Sequence, residues 1–200
     1  MSFKKKVALF DFDGTLTDRD TLFDFLKFYK GTFSLYLGLF FLTPVFGLFF
    51  FRILSNERAK ELMLTWFLKN NPIDTFNEAC NKYALQRVPA ILREQALLEI
   101  NTCKRENIKV VVVTASPENW VKPWCESMGI SCIGTKLQVQ NLLITGKIEG
   151  KNCYGDEKVN RIKNEYNLND YLIESAYGDS SGDLPMLNLA EKRFFKPFRS

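Results

Sequence analysis

Three short runs of the chain are largely apolar, without the regular polar alternation of a half-exposed strand: KVALFDF (Lys6 to Phe12), IKVVVVT (Ile108 to Thr114) and LIESAYG (Leu172 to Gly178). A strand with one wet face alternates, so these runs predict strands buried on both faces. Helical patterns lie between them. PAILREQALLEINTCKREN has Pro89 placed to open a helix, and PENWVKPWCESMG closes on Gly129, with Pro123 expected to kink or shorten it. DEKVNRIKNEY follows a glycine, and LQVQNLLITGKIEG reads as a β-hairpin with Gly146 near its turn. Strands alternating with helices imply a doubly wound parallel sheet, a Rossmann-like α/β fold.

Residues 17–88 interrupt the alternation with helical patterns alone. DTLFDFLKFYK sets Leu22, Phe25, Leu26 and Tyr29 on one face; Ser55 can cap NERAKELMLTWFLKN, with Glu57 near its positive end. Asn71 and Pro72 read as the cap and first turn of a further helix. The expected organisation is a catalytic core of residues 1–16 and 89–200 with an inserted all-helical cap domain at 17–88. Within it, Gly31 to Phe51 is twenty-one residues without a charge, seven of them phenylalanine. This is long enough to be a membrane candidate.

Composition narrows the chemistry. With 46% hydrophobic and 25% charged residues, the 200-residue chain can bury a sizeable core. Its net charge of +4 is spread along the sequence and not gathered into a stripe, which argues against a nucleic-acid partner. Five cysteines without a CxxC pair read as reduced thiols of a cytoplasmic protein. Only a run of four apolar residues, Val7 to Phe10, precedes Asp11, so no secretory leader is expected. Histidine is absent, which excludes Ser-His-Asp hydrolysis, phosphohistidine chemistry and histidine-ligated zinc. Acid–base work then falls to carboxylates, lysine, tyrosine or cysteine, and any metal is expected to be hard and oxygen-bound.

In open parallel sheets ligands bind beyond the carboxyl ends of the strands. The first strand ends in Asp11 and Asp13, with Gly14 and Thr15 in the turn; the second ends in Thr114, followed by Ala115 and Ser116; the third runs into GDSSGDLPML, with Asp179 and Asp183. Four acids meeting at one edge repel unless a divalent cation joins them, and oxygen-only ligation points to Mg²⁺. A metal, a free carboxylate, a hydroxyl and turn amides suit phosphoryl transfer, in which a carboxylate can be phosphorylated and a lysine, here Lys158, can neutralise the transferring group.

These residues resemble the haloacid dehalogenase superfamily of phosphohydrolases, in particular the branch that includes phosphoserine phosphatase. The DxDGT motif reads Asp11-Phe12-Asp13-Gly14-Thr15, the hydrophobic strand ending in Ser or Thr reads Val110 to Thr114, the lysine is Lys158, and GDxxxD reads Gly178 to Asp183. The resemblance implies Asp11 as nucleophile and Asp13 as the acid that protonates the leaving alkoxide and then activates water. It implies Mg²⁺ on Asp11, the Asp13 carbonyl and Asp179, with Asp183 in support. Phosphate would be held by Thr114, Lys158 and the amides around Gly14 and Ala115. Phosphoserine phosphatases usually carry serine at Gly14, glutamate at Asp20, where it reads the substrate amino group, and asparagine at Gly182. The phosphoserine assignment therefore does not follow.

A single membrane crossing by the phenylalanine stretch is excluded, because Asp11 precedes it and Thr114, Lys158 and Asp179 follow it into one sheet. Pro44 and Gly47 divide it into halves of about eleven residues, roughly 16 Å each as helix, which fits a helical hairpin dipping into one leaflet. Lys27, Lys30, Arg52 and Arg58 flank it, suitably for anionic headgroups. The alternative is the packed core of an ordinary cap. A hydrophobic cap after the first motif also resembles the bacterial phosphatidylglycerophosphate phosphatases of the superfamily. The expected function is Mg²⁺-dependent hydrolysis of a lipid headgroup phosphomonoester, peripheral on the inner face of the cytoplasmic membrane. The alternatives are a soluble metabolite phosphatase of the phosphoserine kind and a non-enzymatic membrane-associated binder.

Overall fold

The structure, a computed structural model, describes residues 4–199. Residues 1–3 and 200, included in the expected core and in the leader reading, lie outside the described residues. The three apolar runs form β1 (Lys5–Phe10), β2 (Lys109–Pro117) and a strand at Tyr171–Gly178. Two shorter strands, β3 (Ser131–Thr135) and one at Lys192–Phe195, complete a sheet whose pairings are all parallel. With the hairpin strands β4 (Leu137–Gln140) and β5 (Leu143–Ile148) intervening, the last two sheet strands are β6 and β7, and the order is β3-β2-β1-β6-β7. The expected doubly wound α/β sheet is present.

Alternating side chains of β1 and β2 feed two separate cores, which explains their unbroken apolarity. Ala8, Phe10, Val110 and Val112 join Ile100, Trp120 and Trp124 on one face. Val7, Leu9, Val111 and Val113 join Ile162, Met186 and Leu187 on the other. Between β1 and residue 88 the chain forms α1 (Thr21–Lys30), α2 (Thr32–Phe41), α3 (Thr43–Phe50), α4 (Asn56–Leu68) and α5 (Ile73–Gln86). The rest of the helical layer is α6 (Glu94–Arg105), α7 (Glu118–Ser127), α8 (Asp156–Glu165) and the single turn α9 (Leu184–Leu187). Helix α1 buries Leu22, Phe25 and Leu26, and Phe25 stacks on Trp120 of α7 at 4.5 Å, joining α1 to α7.

Several local expectations are corrected. Pro89 opens a single 3-10 turn, Val88–Ile91, and α6 begins only at Glu94. Pro123 lies inside α7 without ending it. Asn71 is not the cap of α5, whose N-cap is Pro72; its side-chain amide bonds Leu68 O and accepts from Tyr29. The hairpin turn is Asn141-Leu142, both at positive φ, and Gly146 sits within β5. There, at φ 81, a Cβ would collide with the backbone of Thr65 in α4, so glycine is needed for the approach. The hairpin is stitched to α4, α5 and the turn between them by Asn70 N to Ile144 O (2.8 Å), Ile144 N to Asn71 O (2.9 Å), Ile73 N to Leu142 O (2.9 Å) and Ile148 N to Glu61 Oε1 (3.0 Å).

The phenylalanine stretch forms α2 and α3, which meet at Leu42 with a bend of 56°. Pro44 stands in the first turn of α3, where its missing N–H breaks no bond, so the break precedes it. The pair is bent, not a hairpin; the chain reverses after it, through Arg52 at φ 58 into α4. No single helix among the described residues is long and apolar enough to cross a membrane. Leu35, Gly38 and Leu42 are buried, but Phe33 (80% exposed), Phe40 (72%), Phe50 (80%) and Phe51 (73%) face outward.

Candidate active site

Strand β1 delivers Asp11 to the carboxyl edge of the sheet, and the next turn is possible because Gly14 adopts φ 76. A Cβ on Gly14 would stand 2.5 Å from Asp179 Oδ2, so the glycine also admits the β6-end carboxylate. Lys158, buried in the first turn of α8, donates to Asp11 Oδ1, Asp183 Oδ1 and Val113 O, each at 2.7 Å. All three of its N–H groups are thus directed at protein oxygens. Thr15 donates to Asp11 Oδ2 at 3.0 Å. Asp183 Oδ2 accepts from the amides of Asp179 and Ser180 and from Ser180 Oγ, which fixes the loop after β6. Arg199 donates to Asp179 Oδ2 at 2.6 Å.

Asp13 turns its carboxylate away from this group. Its Oδ1 accepts from the amide (2.7 Å) and hydroxyl (2.5 Å) of Thr21, and its Oδ2 from Ser116 Oγ (2.6 Å) and Thr114 Oγ1 (3.4 Å). Thr114 is buried and also accepts from Ser116 N. A cavity of about 960 Å³ is lined by Asp11, Asp13, Gly14, Asp20, Ala115, Lys158, Asp179 and Asp183. Every sequence-predicted site residue therefore faces it except Thr114, which lies behind Asp13. Sequence reading placed Ser116 at the end of the second strand without a role and missed Lys60, Asn152 and Arg199; all four also line it. Ser116 was accessible from the two-residue period of β2. Lys60 was not: it reaches from α4 to Ala115 O (2.5 Å) and Asn152 Oδ1 (3.1 Å).

Burial is the largest influence on Asp11 and pushes its carboxyl up to about 7, against the pull of Lys158. Burial opposes the charge on Lys158 too, yet Asp11 and Asp183 outweigh it and hold the ammonium above its usual range. Asp183 is desolvated, but Lys158 and Ser180 keep it below the usual carboxylate range. Burial, then the charge of Asp13, raises Asp20 to about 6, and burial lowers Lys60 to about 8. A carboxyl held above its unfolded value stabilises the fold fully below that value, and the contribution is lost as pH rises through the folded one. Asp11 therefore predicts that, in chelator, the melting temperature falls as pH rises from about 4 to about 7. Asp11→Asn should flatten that part of a thermal-melt series; a parent profile rising across the window would contradict the assignment.

Carboxylate oxygens of Asp11, Asp179 and Asp183 lie within 4.8 Å of one another. This all-oxygen set fits a hard divalent cation. Asp183 accepts four protein donors, three of them on Oδ2, against two on Asp11, which suits it to orienting the set more than to direct ligation.

Two curated relatives, Protein CicA of Caulobacter vibrioides strains NA1000 / CB15N and ATCC 19089, are each 32% identical over 201 residues, covering 100% of this chain and 89% of theirs. A Bordetella pertussis Tohama I protein of unknown function superposes with a TM-score of 0.82 at 21% identity, covering 96% of this chain and 89% of that one. A phosphoserine phosphatase solved as a phospho-aspartyl intermediate analogue gives 0.60 at 22% identity, covering 96% and 86%. Both structures share the fold. Residues 8–188 match the haloacid dehalogenase-like hydrolase profile. With the acids of β1 and β6 and Lys158 gathered at one sheet edge, the chain belongs to the haloacid dehalogenase-like hydrolase family.

Proposed function

We propose that the protein hydrolyses phosphomonoesters through an aspartyl-phosphate on Asp11, and that its substrate is a lipid headgroup phosphate of the phosphatidylglycerophosphate kind. The observation that carries the lipid reading is the mixed lining of the cavity. Leu22, Phe23, Phe46, Phe49 and Met63 line it together with Asp11, Asp13, Lys158 and Asp179. Phe46 and Phe49 belong to α3, whose neighbouring Phe50 points into solvent, so the apolar wall continues into an exposed apolar surface.

In this reading an Asp11 oxygen attacks phosphorus in line with the leaving oxygen, and Asp13 gives that oxygen a proton. Asp13 then takes a proton from water as the water attacks the phospho-aspartate, releasing phosphate and restoring Asp11. Mg²⁺ would be held by Asp11, Asp179 and the Asp13 carbonyl, with Asp183 and Lys158 fixing the carboxylates. When bound it supplies charge neutralisation on the phosphoryl oxygens. Amides near Gly14 and Ala115 bind phosphate, Asp20 lies where the alcohol portion emerges, and residues 17–88 act as the cap.

The exposed phenylalanines of α2 and α3, flanked by Lys27, Lys30, Arg52 and Arg58, provide a surface for anionic lipid. The protein should co-sediment with phosphatidylglycerol-containing vesicles, less at high salt, because screening weakens the cationic part and leaves apolar burial. Replacing Phe33, Phe40, Phe50 and Phe51 by serine should release it while turnover of a soluble aryl phosphate persists. These side chains are largely exposed, so little packing is lost. A parent that ignores vesicles at low salt yet hydrolyses soluble phosphomonoesters would replace the lipid reading with that of a metabolite phosphatase. Vesicle binding without Mg²⁺-dependent turnover would make it a binder.

A further inference from the structure

The side chain of Thr21 opens α1 and is fully buried, yet it belongs to none of the motifs that suggested the site. Its hydroxyl stands 3.3 Å from Trp120 Nε1, 2.5 Å from Asp13 Oδ1 and 3.2 Å from Ser116 Oγ. An indole N–H can only donate. Trp120 therefore occupies a lone pair of Thr21 Oγ1 and leaves its single proton for Asp13. The Thr21 amide, an otherwise unpaired donor at the start of α1, bonds the same carboxylate oxygen at 2.7 Å. Ser116, also buried, holds the other oxygen. One carboxylate is thus gripped from three elements: α1 of the insert, the end of β2, and α7 through Trp120.

We propose that Thr21 is a positioning residue for Asp13, acting with Ser116 and with its own hydroxyl rotor set by Trp120. The inference rests on the reading of Asp13 as proton donor and acceptor. Thr21 does not touch the phosphoryl group; it fixes the plane and direction of the Asp13 carboxyl, and so the path of the proton to the leaving oxygen. Because Thr21 is the first residue of α1, seating of the insert and readiness of the proton donor become one geometric condition.

Leaving-group chemistry isolates this role. An alkyl phosphate needs its leaving oxygen protonated, whereas p-nitrophenyl phosphate departs as a stable anion. Thr21→Val keeps the shape and the backbone N–H but removes the hydroxyl. The kcat on glycerol 2-phosphate is expected to fall about ten- to a hundredfold at nearly constant KM. The first turnover of p-nitrophenyl phosphate should stay near the parent rate, and phospho-enzyme should build up in acid-quenched samples, because the water-activating step is slowed. Thr21→Ser should restore most of the loss. Ser116→Ala, a smaller change that tests the same grip if the valine variant does not fold, should show the same selectivity. Equal losses on both phosphates with no phospho-enzyme, or an unchanged rate on the alkyl phosphate, would overturn the proposal. Absence of turnover in the parent would instead overturn the functional reading beneath it.

Discussion

Asp11→Asn should reduce turnover of every phosphomonoester by about four orders of magnitude or more, with no trappable phospho-enzyme. A neutral amide is a poor nucleophile, and the carboxylates grouped with it are engaged elsewhere: Asp13 with Thr21 and Ser116, Asp179 with Arg199, and Asp183 with Lys158 and Ser180. The substitution should leave the fold intact. Lys158 keeps Asp183 and Val113 O, and burial already disfavours the charged form of Asp11. Rapid-quench assays with an aryl phosphate provide the measurement. Substantial residual activity, or a covalent phosphate on the variant, would place the nucleophile elsewhere.

Lys158→Met should be the most destabilising change at the site, by about 3–5 kcal/mol, because it strands buried carboxylates without their cation. Both Asp11 and Asp183 lie 2.7 Å from the ammonium, and all three side chains are almost entirely buried. A denaturant midpoint measured by fluorescence reads the loss. Adding Asp183→Asn should recover part of it by removing one uncompensated charge, so a double-mutant cycle should show coupling. An unchanged midpoint in the single variant would mean that the charge cluster is not held by this ion pair.

The strands β1, β2 and β6 were legible because burial on both faces leaves a run of apolar residues that few other elements produce. The edge strands β3 and β7 were not: SCIGT and KRFF are short, and β7 is exposed along its length. The acids were legible because each closes a recognisable strand. Thr21, Lys60 and Arg199 were not, because their places depend on packing between segments far apart in sequence; Lys60 meets residues 55 and 92 positions away. In the phenylalanine stretch, the absence of any charge from Gly31 to Phe51 left little polar surface to turn outward, and phenylalanines are exposed there. The break was misplaced because proline favours a helix's first turn and so marks the residue before it.

The stitching of the β4–β5 hairpin to α4 and α5 bears on how such enzymes can be recombined. A chimera that transplants residues 17–88 alone from a relative would arrive without the partners of Asn70, Asn71, Ile73 and Glu61, and would set a foreign helix against Gly146. The graftable unit is discontinuous: the helices together with residues 137–148, joined across the sheet-bearing remainder. Substrate preference exchanged as that pair should travel with a stable fold, whereas the helices alone should yield insoluble or poorly folded hybrids.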